Sequence, residues 1–226
     1  MGQATDGAPP TIWFTRVMSN TDEVLDIQPH MEGGAEAIVR YKSRTGRFRQ
    51  TRDDPYPPCL VLEDKEMAIP PSSRDAFRVI GGLLVVSEKV RDVFERSDLG
   101  TSHLVEVPIY TTPAQEERIE GRFFLLHVSE FKDCFVPEGS EEVWNDLHRP
   151  HVLSGHYGKK TKYDIWMPFG SSDVLVVRAS AAEGVAIWAH PNLRTRFFIS
   201  DPLKQALDAA RIKTKVLKFV RATVVP

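Results

Sequence analysis

Residues 196–220, RFFISDPLKQALDAARIKTKVLKFV, decide how this chain folds. Phe197, Phe198 and Ile199 make an apolar run that reads as a strand and meets Ser200-Asp201-Pro202. Ser200 or Asp201 can cap a helix there, and Pro202 suits the first helical position if Asp201 is the cap. Leu203, Ala206, Leu207 and Ala210 follow at helical spacing, and a second apolar run over 216–220 closes the unit. Moving back 113 residues finds the same plan in LLVVSEKVRDVFERSDLGTSHLVEV, residues 83–107. At that offset Ser87/Ser200, Thr101/Thr214, Leu104/Leu217 and Val107/Val220 are identical, and Val86/Ile199, Glu88/Asp201 and Leu99/Ile212 are similar. The chain carries two related strand–helix–strand units. Val90/Leu203 and Phe94/Leu207 hold equivalent positions, so both helices are expected to bury these residues against their adjoining strands.

Working outward, residues 1–11 read as a flexible leader and 11–18 as a first strand. Residues 19–39 are acidic and only lightly apolar, as loops or a weak helix would be. Strand signals recur at 59–62, 121–136, 173–178 and 185–188. The polar run 111–118, with Pro113, is the best candidate boundary. It divides the chain into an N-terminal lobe, 12–112, and a C-terminal lobe, 113–226, each with one strand–helix–strand unit. Strands outnumber helices, so the expected class is α+β with mixed sheets.

At 226 residues the chain can bury roughly 70% of its unfolded surface. A net charge of −2 gives no global attraction to nucleic acid or anionic membranes. No apolar stretch approaches the ~20 residues of a membrane span. The opening MGQATDGAPPT lacks the blocks of a secretory signal, and Asp6 spoils a myristoylation site. Cys59 and Cys134 then read as reduced core thiols in a cytoplasmic protein.

Four patterns invite a chemical reading. His148, His151 and His156 are the densest set of candidate ligands, but Pro150 breaks a regular helix between the first two and no cysteine is near. They read as a solvated or partner-facing loop, with no metal. GHYGKKT, 155–161, has Lys160 where a phosphate loop needs Ser or Thr, so no nucleotide cofactor is expected. Residues 40–52 hold six basic side chains interleaved with Tyr41 and Phe48. That pattern could track a nucleic-acid backbone, yet flanking acids favour a solvated face or a receiver of an acidic partner. The alternation across 38–42 also fits an exposed strand edge. No Gly-x-Ser-x-Gly elbow is present, and Cys134 with His127 does not make a convincing nucleophile pair.

Three segments together resemble one family. They are IWAHPNLRTRFFISDPLKQALDAARIKTKVLKF at the end, RFFLLHVSEFKDCFVPEGS in the middle, and LLVVSEKVRDVFE followed by HLVEVPIY. The family is the myxobacterial-type immunity family of bacterial polymorphic-toxin systems, and the resemblance covers roughly 12–220 as one family unit. Where the family's middle strand usually has Asn, this chain has His127. The resemblance implies a non-catalytic protein that binds and sterically neutralises a cognate toxin encoded nearby. It carries over no catalytic residue. Partner contacts are expected in the loop-rich segment 139–172, where Trp144, His156, Tyr157, Tyr163 and Trp166 sit among turn formers. The alternative is a small soluble enzyme, hydrolase-like, with an unassigned active site.

Overall fold

In the computed structural model, which describes residues 10–15, 24–45, 53, 55–62, 68–112, 114–141, 143–145, 166–168, 174–193 and 196–226, each repeat becomes a strand, a helix and a parallel strand with another strand slotted between them. In the first unit β6 (Leu83–Ser87) leads into α2 (Glu88–Phe94) and then β7 (His103–Glu106). Strand β9 (Phe123–His127) lies between β6 and β7, antiparallel to both. In the second, β14 (Phe197–Ser200), α3 (Asp201–Ala209) and β15 (Phe219–Arg221) repeat the plan. Here the inserted antiparallel strand is β1 (Ile12–Thr15). The first unit therefore takes its central strand from beyond residue 113, and the second takes its own from the start of the chain.

An outer antiparallel strand completes each sheet: β5 (Ala76–Val79) on β6 and β13 (Ile187–Ala189) on β14. With β2 (Val24–Leu25), parallel to β5, the sheet orders are β2-β5-β6-β9-β7 and β13-β14-β1-β15. The molecule is α+β, with parallel and antiparallel pairs and, among the described residues, three α-helices.

The duplication extends to single interactions. Ser87 N–H donates to the Asp75 carbonyl and Ser200 N–H to that of Ala186, both at 2.9 Å. Arg91 reaches Glu95 at 3.2 Å and lies 4.9 Å above the Phe124 ring. Its counterpart Lys204 reaches Asp208 at 2.5 Å and lies 4.9 Å above Trp13. Ser200 is the helix cap, its hydroxyl accepting from Leu203 N–H, which makes Asp201 the first helical residue and Pro202 the second.

The closing strands depart from the 113-residue offset. Val105 pairs with Leu125, and Val220 with Phe14, its counterpart, so the equivalent of Val220 is Val105, an offset of 115. The identity of Val107 with Val220 is thus not a structural equivalence. An even slip of two keeps every side chain on its original face, so the apolar pattern survives it.

Val90, Phe94, Leu203 and Leu207 all enter one apolar cluster, where α2 packs against α3. Leu84, Val86, Phe124 and Leu126 reach it from one sheet, Phe197, Ile199 and Ile187 from the other. The alternate residues face away. Phe77, Leu83, Val85, Phe123 and Leu125 join a second cluster. Its other side is α1 (Gly34–Thr45) and a small sheet of β3 (Ile27–His30), β4 (Cys59–Leu62) and β8 (Ile109–Tyr110). Ile12, Phe14, Trp188 and Phe198 join a third, with β12 (Val176–Arg178) and β16 (Thr223–Val225) nearby. Both main sheets are covered on both faces, which is why LLVV and FFLL run apolar without alternation.

Two local expectations change. Residues 38–42 are helical, not a strand edge, because Ala37, Ile38 and Tyr41 share an inward helical face while Val39, 66% exposed, points out. In 121–136 only Phe123–His127 is a strand of the ladder. Beyond it Ser102 Oγ accepts from the amides of Ser129 and Glu130 and draws the chain out of the sheet.

Asp75 ties the halves together. Its carboxylate accepts from Lys213 N–H at 2.6 Å and lies 3.6 Å from Lys89, while Thr214 Oγ1 donates to the Ala76 carbonyl at 3.0 Å. Asp75→Ala is expected to cost about 1.5–3 kcal/mol, the range for a hydrogen bond to a charged group. Amide exchange at 213–217 should accelerate with it. Unchanged exchange there would show that the carboxylate does not hold this segment.

Candidate functional site

The segment expected to contact a partner begins where Ser140 fixes the chain. Its hydroxyl donates to the Val136 carbonyl at 2.9 Å and accepts from Val176 N–H at 2.9 Å, and Glu141 N–H donates to Val174 O. From that base rises a two-stranded antiparallel ribbon, β10 (Val143–Asn145) with β11 (Trp166–Pro168). The register pairs Trp144 with Met167 and Trp166 with Asn145, so the two tryptophans are brought onto neighbouring strands without standing opposite each other. His156, Tyr157 and Tyr163 lie outside the described residues, as do His148, His151 and the whole of 153–161. Among the described residues no group of three or more His, Cys, Asp or Glu is placed to hold a metal ion. No helix among them is long and apolar enough to cross a membrane.

The basic run divides. Arg40 is exposed on α1 and pairs with Glu36 at 3.1 Å. Tyr41 turns into the core, which removes it as a platform for bases. Arg47, Phe48, Arg49 and Arg52 lie outside the described residues.

Tyr41 leads to a cluster that the sequence reading missed. Helix α1 supplies Tyr41, the proline-rich stretch before β4 supplies Tyr56, β7 supplies His103 and β9 supplies His127. The register sets His103 opposite His127, and their rings stack with centroids 5.3 Å apart. Tyr56 packs on His127 at 4.8 Å and hydrogen-bonds His103 Nε2. The Thr101 carbonyl, 3.0 Å from His103 Nδ1, can only accept, so in the neutral ring Nδ1 donates there and Nε2 receives the Tyr56 hydroxyl. The Tyr41 hydroxyl lies 3.5 Å from His127 Nε2. Burial, with His103 beside it adding repulsion, pushes the His127 pKa down to about 3. The ring is thus neutral at physiological pH. At 4% exposure His127 specifies the interior of the first unit rather than meeting a substrate. One signal pointed to it: His127 stands where the resemblance led to an expectation of Asn. Nothing in the spacing revealed its partners, since Tyr56 and Tyr41 lie 71 and 86 residues away.

The thiol and imidazole considered as a nucleophile pair are separated. Cys134 belongs to the third apolar cluster and His127 to the histidine–tyrosine group. Both cysteines are free and buried, and burial pushes the Cys134 thiol up to about 11, far from the thiolate a nucleophile needs. Beside it Lys132 lies 3.9 Å over the Trp188 ring and donates to the carbonyls of Ala181 and Glu183, at 2.7 and 2.6 Å. That lysine caps a turn. A second histidine, His190, meets Asp133 at 3.1 Å from a buried position, and desolvation lowers its pKa despite the carboxylate.

Comparison with known proteins adds a family to this architecture. No curated protein matches the sequence. The profile of the Immunity protein family (Imm11) matches residues 13–221, from the central strand of the second unit to the end of its last sheet strand. The match spans both units and the ribbon between them, and this chain belongs to the Imm11 immunity protein family.

Proposed function

We propose that this protein binds a cognate toxin of a bacterial polymorphic-toxin system, encoded nearby, and neutralises it sterically in the cytoplasm without catalysis. The carrying observation is the family match over 13–221. Contacts come from the segment 139–172, with Trp144, His156, Tyr157, Tyr163 and Trp166 as anchors, and the face of 40–52 receives an acidic patch. In support, this segment departs from the duplicated scaffold at a hydrogen-bonded base, and loops on rigid scaffolds are where binding residues concentrate.

Co-expression with the toxin gene next door, scored by survival and pull-down, tests the reading. Wild-type protein should rescue growth and capture the toxin. Tyr157→Ala should weaken capture by about 1 kcal/mol or more while leaving Tm nearly unchanged. A wild-type protein that neither rescues nor binds would sink the reading.

A further inference from the structure

The end of the chain is charged oppositely to the rest. Residues 201–226 hold six Lys or Arg against two Asp, a net +4 in a chain whose total is −2, so residues 1–200 carry −6. After Asp208 there is no acidic side chain, and Arg211, Lys213, Lys215, Lys218 and Arg221 are all exposed. Arg211, Lys213 and Lys215 have no acidic side chain in ion-pair contact among the described residues.

Two of these cations line a groove of about 340 Å³ between α3 and residues 211–219. Its floor is apolar: Leu207, Ile212, Leu217 and Phe219. On the rim Lys204 and Asp208 cancel each other at 2.5 Å, and of the remaining cations Arg211 has no acidic side chain in ion-pair contact among the described residues. Strand β15, alongside, is the last of its sheet among the described residues.

The duplicated unit supplies an internal comparison. At the position equivalent to Arg221 the first unit has Glu106, held by Arg122 at 2.6 Å. That place is acidic and paired in one unit, basic in the other. Arg211 also closes α3 with φ 51°, the left-handed conformation that helix ends normally assign to glycine. A large cation thus stands where an L-residue's backbone is least at ease.

We infer that the groove receives an acidic segment of the partner protein, with one bulky apolar side chain seated on Leu207, Ile212 and Leu217 and a carboxylate against Arg211. This rests on the reading that the chain binds a protein toxin. The cationic rim supplies steering and register, and the apolar floor supplies burial.

Two arms test it. In the first, the full chain is titrated against two short labelled peptides, one alternating glutamate with leucine and phenylalanine, the other with lysine in place of each glutamate. The glutamate peptide should bind at least about tenfold tighter, and added salt should weaken it. Arg211→Gly should lose most of that preference with Tm unchanged or raised, because glycine relieves the backbone. Arg96→Glu, a charge reversal at an exposed position of the first unit, should change nothing. Equal affinity for both peptides, or an equal loss with Arg96→Glu, overturns the groove. In the second arm, Arg211→Glu should weaken capture of the neighbouring toxin by about tenfold or more. If wild-type protein holds the toxin and this variant holds it equally well, the groove inference fails and the immunity reading stands. If the glutamate peptide binds as expected but wild-type protein ignores the toxin, the immunity reading fails and the groove stands.

Discussion

Phe94→Ala is expected to lower the free energy of unfolding by about 3–5 kcal/mol, and Leu207→Ala by about 2–5 kcal/mol. Both side chains are buried in the cluster that joins α2 to α3, at equivalent positions of the two units. Each truncation removes apolar contact and leaves a cavity that two packed sheets cannot collapse to fill. Because the residues share one cluster, the double variant should depart from additivity by more than about 0.5 kcal/mol. Urea denaturation of the three variants measures all of this. A loss below about 1 kcal/mol for either single change would show that the helix does not bury that face.

Acidification should destabilise the protein steeply, with His127 as the main cause. Its folded pKa of about 3 lies below the value of about 6.5 for an unfolded histidine. The unfolded chain therefore binds a proton that the fold excludes. The contribution to stability is complete above about pH 6.5 and declines toward pH 3, by about 1.4 kcal/mol per pH unit. Near pH 5 the loss is about 2 kcal/mol, and His190, also lowered, acts in the same direction. Urea midpoints at about pH 7.5 and about pH 5 should show it, and His127→Asn should flatten the dependence. An unchanged slope in His127→Asn would assign the effect elsewhere.

What the residues determined by themselves was local. The spacing of Leu203, Ala206 and Leu207 after Ser200-Asp201-Pro202 specified a helix, its start and its buried face, and the same phase at Val90, Val93 and Phe94 revealed the duplication. Apolar runs such as FFLL marked strands, and the structure then buried them on both sides. These features rest on side-chain periods of a few residues, which any stretch carries within itself. Tertiary structure decided the rest. Which strand enters each unit, β9 in one and β1 in the other, is settled by backbone hydrogen bonds that have no residue preference to announce them. The two-residue slip at Val220 is silent in the pattern, because an even shift leaves each face unchanged. The short run at 38–42 fits two periods, and only packing against the sheets selects the helix that turns Tyr41 inward. The histidine–tyrosine cluster and the basic groove are likewise assemblies of residues distant in the chain. They come into being only when the sheets and helices that bear them pack together.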